Sequence, residues 1–213
     1  MSSPGDAESI VAAWKSRLVT LADNPGYVFL DTPQELIDSH RARLTTFGGC
    51  GESELEAVEL RIGARFPEIF REYLLRMGEH CGDLFRGSDR AGISGFDRLR
   101  EDAREIVEDA GGAWRLPPDA AVILTHQGYT FDYLRATGGF DGPVLRWSDG
   151  KPDEDTQVSP TFTGYVDAQI RLMEHNNRGT RDGGGYYLTL YPGGGGRQVR
   201  PARNSGDRPL GHR

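Results

Sequence analysis

Cysteine is scarce in this chain of 213 residues: Cys50 and Cys81 are the only two, each beside a glycine. Two thiols cannot build a disulfide framework, and apart from His80 neither has a second ligand at usual zinc-site spacing. They read as reduced thiols of a cytoplasmic protein, with no metal and no cofactor expected. Long apolar runs are missing too. No stretch approaches the ~18 residues that would span a bilayer. Met1 to Ala13 carries Asp6 and Glu8 and lacks a basic start before an apolar segment, so neither a membrane partner nor a secretory leader is expected. A hydrophobic fraction of 37% and a mean hydropathy of -0.55 describe a globular chain in water.

Positive charge is thin except at the end. The net charge is -7, yet residues 178–213 hold seven arginines against Asp182 and Asp207, a sum of +5, so the remainder carries -12. An acidic body is a poor match for a phosphate backbone, and no nucleic-acid partner is expected. It suits a partner protein with a basic surface; keeping the chain dissolved is the plainer use of the same charge.

What is present is helical grammar, followed by extended grammar. Ile10, Val11, Trp14, Leu18 and Leu21 recur at helical spacing, which predicts a helix over 6–22 that Asn24-Pro25-Gly26 stops. Thr32 and Glu35 form a capping pair around Pro33, the start of a short second helix. After the glycine-rich joint 48–51, Ser53 and Glu56 form another capping pair for a helix carrying Leu55, Val58 and Ile62 that ends at Gly63. Pro67 starts the next helix, with Phe66, Phe70, Tyr73, Leu74 and Met77 on one face and Gly78 closing it. A helix over 97–110 places Leu99, Ala103, Ile106 and Val107 inward. Segments 121–124, 130–134 and 144–147 are rich in strand formers, and the joints at Gln127-Gly128 and 137–142 predict an antiparallel meander. An acidic loop, 149–155, leads to a helix capped by Thr161 with Phe162, Tyr165, Val166 and Ile170 on one face. Beyond Asn177 the chain turns glycine-rich. Tyr186 to Tyr191 could add an edge strand, and 192–213 has too little apolar surface to repay its ordering.

The ordered series of motifs resembles the SUKH superfamily, in the branch similar to the fungal Smi/Knr cell-wall assembly regulators. Its first block is Glu54-Leu55-Glu56, Leu60, Gly63 and Phe66-Pro67 with Phe70 and Tyr73-Leu74-Leu75. The second is Trp114, Leu116-Pro117 and Val122-Ile123-Leu124 running into His126-Gln127-Gly128-Tyr129-Thr130-Phe131. The third is Gly142-Pro143-Val144, Trp147 and Thr161-Phe162-Thr163-Gly164-Tyr165-Val166. The resemblance covers about 125 residues, 52–176, and leaves the N-terminal helices and the Gly/Arg-rich tail outside. It implies an α+β fold, a twisted antiparallel sheet with helices packed mainly on one side. The organisation expected is an N-terminal helical segment over 1–47, a SUKH-like domain over 48–177, and a largely disordered, flexible C-terminal tail over 178–213. Bacterial members of this superfamily are mostly immunity proteins that bind and neutralise a toxin domain, and fungal relatives are regulatory scaffolds. A non-catalytic protein-binding role is therefore expected, first as an immunity protein against a toxin domain such as a nuclease, second as a regulatory scaffold of the Smi/Knr type, with a hydrolase a distant third.

Three motifs that could carry chemistry fail on detail. Gly92-Ile93-Ser94-Gly95-Phe96 resembles a nucleophile elbow, but Phe96 stands where the second glycine must. Asp149 to Pro160 resembles a calcium loop, yet Lys151 and Pro160 take the third and twelfth ligand positions. The glycines 193–196 lack the Lys-Ser/Thr end of a phosphate loop. His126 reads as a hydrogen-bonded structural histidine, and Phe131 and Tyr133 as core. The expected partner-binding residues are Trp147, as an exposed anchor at a strand end, with Asp149, Asp153, Glu154 and Asp155 beside it; the expected partner is a cognate toxin with a basic surface.

Overall fold

Apolar spacing at the start of the chain produces helix α1, Pro4–Asp23, with Val11, Trp14 and Leu18 buried. The computed structural model describes the backbone of residues 4–23, 33–90 and 92–181. The stop at 24–26, the cap at Thr32 and the tail from 182 onward, including the tyrosine run, lie outside the described residues. Helix α2, Gln34–Thr45, has Pro33 at its N-cap and so begins one residue later than the proline position predicts.

Two-residue strand β1, Phe47–Gly48, precedes helices α3, Glu52–Ile62, and α4, Glu68–Met77. The first cap is shifted from expectation. Gly51 is the N-cap of α3, and its N–H donates to Glu54 Oε2 at 2.8 Å, so Ser53 lies inside the first turn and does not cap it. Gly63 ends α3 at φ 68°, a left-handed conformation that costs glycine nothing. Helix α4 finds partners for its first N–H groups far along the chain: Glu68 and Ile69 donate to the carbonyls of Gly139 and Phe140 at 2.9 and 3.0 Å. Gly138 and Gly139 both sit at positive φ, which lets the 137–142 joint turn its carbonyls toward that helix end.

Strands β2, His80–Cys81, and β3, Asp89–Arg90, bracket a loop, and helix α5, Phe96–Ala110, follows. The meander is β4, Ala120–His126, β5, Thr130–Arg135, and β6, Val144–Ser148. A further strand, β7, Asp155–Ser159, was not expected from its polar sequence. It completes a five-stranded antiparallel sheet in the order β3-β4-β5-β6-β7. Helix α6, Phe162–Arg181, closes the described chain and runs past Asn177. Thr161 caps it as its sequence predicts, its Oγ1 accepting from the Gly164 N–H at 2.9 Å, and Asp141 accepts from the Phe162 and Thr163 N–H groups.

The fold is α+β, and both faces of the sheet are covered. On one face α1, α3, α4 and α6 pack with Ala121, Ile123, Leu134 and Val144 into the larger core. Helix α5 lies alone on the other, where Leu99, Ala103 and Val107 meet Ala120, Val122, Phe131, Tyr133 and Trp147. Every residue of β4 is therefore buried. A bulge between Val122 and Leu124 lets Ile123 and Leu124 both face the larger core. Among the described residues no helix is long and apolar enough to cross a membrane.

Candidate functional site

The smaller core has one helix for a wall, and a turn supplies the rest. Trp147 stacks on Phe131 at 5.4 Å, and Trp114 lies about as close to Phe131, Tyr133 and Trp147, at 6.1, 6.0 and 6.1 Å. The 149–154 turn between β6 and β7 folds over this aromatic set. Trp147 Nε1 donates to the Pro152 carbonyl at 3.3 Å, and Asp153 Oδ1 accepts from the Ala113 N–H at 2.8 Å, just past the end of α5. Gly112 has no room for a side chain: a Cβ there would lie 2.5 Å from the Pro152 carbonyl oxygen. Tyr133 donates its hydroxyl to Asp155, and burial first, then that carboxylate, raises its pKa.

These contacts revise the expected roles. Trp147 is 0% exposed and cannot be a surface anchor, because its ring fills the space under the turn. Asp155 is half-buried on Tyr133, and Asp153, though exposed, holds the turn to the α5 end. Glu154 is exposed and forms a 3.0 Å ion pair with Lys151, while Asp149 is exposed and its N–H donates to the Tyr129 carbonyl. Tyr129, missed in the sequence, is 40% exposed at the neighbouring β4–β5 turn. Tyr129 sits in a turn opened by Gln127 at φ 51° and Gly128 at φ 73°, so strand alternation does not set its exposure.

The turn does not carry its charge alone. Asp153 and Pro152 abut Ala113 and Gly112, just past the C-terminal end of α5, where Arg115 Nη1 also donates to the Gly112 and Trp114 carbonyls. Glu105, Glu108 and Asp109 are exposed on the C-terminal half of α5, and its last turn holds no basic residue. Acids at a helix C-terminus face the negative end of its dipole and lose about 0.3–1 kcal/mol each when exposed. Stability alone therefore does not favour this arrangement.

On the opposite face the sheet carries a buried polar centre. Asp132, 0% exposed, receives a two-pronged bond from Arg146, Nε and Nη2 at 2.6 and 2.7 Å, and a hydroxyl bond from Tyr165 at 2.6 Å. Burial opposes the Arg146 charge, but the Asp132 carboxylate outweighs it and the guanidinium pKa is raised. His126 lies 3.3 Å from Ser88 Oγ, its pKa lowered by burial and then by the Arg146 charge, as suits a structural histidine. Ser94 of the elbow-like motif donates its hydroxyl to Glu79 at 2.7 Å, and a Cβ on Gly92 would strike that same carboxylate, so the glycine serves packing. Among the described residues no group of three or more His, Cys, Asp or Glu is placed to hold a metal ion.

Helix pair, meander, acidic turn and final helix follow the order of the motif series. The model of the SMI1 / KNR4 family (SUKH-1) matches residues 49–168, more than half of the 213. The chain belongs to that family. No individual curated protein matches it. The matched SUKH-1 span takes in the whole five-stranded sheet, α3 to α5 and the first turns of α6. Helices α1 and α2 precede it, yet Trp14, Leu18 and Leu44 lie in the same larger core as α4 and α6. Arg17 and Trp14 bind Asp167 of α6 at 2.8 and 3.1 Å, fixing α1 to the end of the family span.

Proposed function

We propose that this SUKH-1 protein is an immunity protein that neutralises a toxin domain by direct, non-catalytic binding, and that the partner presents a basic surface. One observation supports the reading: the β6–β7 turn is tied to the end of α5 through Asp153 and the Ala113 N–H, and exposed acids stand on both segments while the last turn of α5 holds no basic residue. Glu105, Glu108, Asp109, Asp149, Asp153 and Glu154 are the exposed acids of these segments, with Arg115 and Lys151 exposed cations among them, and Tyr129 is joined to the turn through its carbonyl and the Asp149 N–H. A toxin domain that cuts nucleic acid needs a basic cleft for phosphate, and an acidic surface of this kind would occupy it. Tyr129 takes the anchoring part that Trp147 cannot, since a half-exposed tyrosine supplies apolar area and a hydroxyl at little entropic loss.

Coexpression with the toxin domain encoded in its genomic neighbourhood tests this directly. The expected result is restored growth and a stable complex, with Tyr129→Ala speeding dissociation by a factor worth ~2 kcal/mol. Binding without relief of toxicity would instead favour a regulatory scaffold, and no binding would remove the immunity reading.

A further inference from the structure

A cavity of about 490 Å³ lies between the C-terminal half of α2 and the loop joining β2 to β3. That volume falls within the range of small-molecule sites. Its charge is opposite to that of the body. Arg43, Arg86 and Arg90 line it with His80, and Asp83 is the one acid among the lining residues. Asp83 offsets only one of the three charges: its side chain is 7% exposed, with Arg43 Nε at 3.1 Å and Arg86 Nη1 at 3.7 Å. Three guanidiniums and one carboxylate leave a concave +2 within a body that sums to -12 outside the tail. His40 beneath the cavity, 3.8 Å from Asp83, has its pKa lowered to about 4 by burial first and then by Arg43 and Arg86.

The loop is also held in a costly shape. Asp83 and Phe85 are non-glycine residues at φ 67° and 59°, and Gly82 and Gly87 flank them at positive φ. Left-handed conformations of non-glycine residues are strained and collect at ligand sites. The fold enforces them by burying Leu84 and stacking the Phe85 ring on Tyr165 at 5.7 Å. The loop thereby keeps Arg86 and Arg90 at the rim, with Arg90 steadied by the Gly78 and Glu79 carbonyls.

We propose that this cavity is a binding site for a small oxyanion of two or more negative charges, a phosphate ester or a polycarboxylate, held by Arg43, Arg86 and Arg90. The site is independent of the toxin-binding reading. Calorimetric titration of the full chain with sodium pyrophosphate, and separately with sodium citrate, in low-chloride buffer tests it. The expected result is one saturable site with Kd below about 1 mM for at least one probe. The tighter probe then assigns phosphate or carboxylate chemistry. Arg86→Ala, at a rim side chain 56% exposed, should weaken binding about tenfold or more at an unchanged melting temperature without anion. Ser39→Glu keeps every arginine but adds a carboxylate beside Arg43, and should abolish binding. Arg98→Ala on the exposed face of α5 should leave it unchanged. Absence of saturable binding by either probe, or full binding in both Arg86→Ala and Ser39→Glu, overturns the proposal.

Discussion

The two faces of the sheet are built on different terms. The larger face buries residues from α1, α3, α4 and α6 around a polar centre of Asp132, Arg146 and Tyr165. The smaller face has α5 alone, an aromatic stack, and a turn whose exposed side is acidic. Redundant helices make the first face a place for stability. The thin wall of the second lets one turn be both the roof of a core and part of the surface a partner would meet. Charge and packing meet on both faces, buried in the polar centre of the first and at the surface in the turn of the second.

Breaking the polar centre should have the largest effect. Asp132→Ala leaves Arg146 buried without its carboxylate and should cost about 3–5 kcal/mol in denaturant unfolding. A loss below ~1 kcal/mol would mean that solvent reaches the pair and the face is less closed than described. Trp147→Ala should cost nearly as much, about 3–5 kcal/mol, because it empties the aromatic stack. A Trp147→Ala protein of unchanged stability with faster partner dissociation would restore the exposed-anchor expectation. Leu74→Ala on the larger face should cost about 2–5 kcal/mol; an unchanged melting temperature would show that α4 turns another face inward. Asp153→Ala is the small, sharpening case. Loss of one bond to the Ala113 N–H should cost about 0.5–1.5 kcal/mol, placing the turn among the packing elements as well as the charged ones.

Helices α3, α4 and α6 could be read from the sequence because glycine, proline and threonine mark their ends and apolar spacing marks their inner sides. The meander was legible for the same reason at Gln127-Gly128 and at the 137–142 joint. Strand β7 was not: Asp155-Thr156-Gln157-Val158-Ser159 has no apolar alternation, and pairing with β6 alone makes it a strand. An amphipathic α5 declares an inner face but not which side of the sheet it covers. Asp132 and Arg146 look like solvent-facing charges in isolation. Their inward parity with Leu134 and Val144 was the available signal, and their register, directly opposite one another, supplies the rest. The acidic loop was visible as charge, but its join to the end of α5 is a tertiary contact between residues 113 and 153 that no local pattern encodes.

The most direct test of the proposed binding is association kinetics with the candidate toxin domain, measured at low and high salt for wild type and a Glu105→Lys, Glu108→Lys, Asp149→Lys triple variant. These three side chains are exposed and are not the ones that tie down the turn, so the fold should be kept. Electrostatic steering predicts an on-rate slower by about tenfold at low salt, an off-rate within about twofold, and convergence of the two proteins as salt rises. Equal on-rates for variant and wild type, with no dependence on salt, would contradict it.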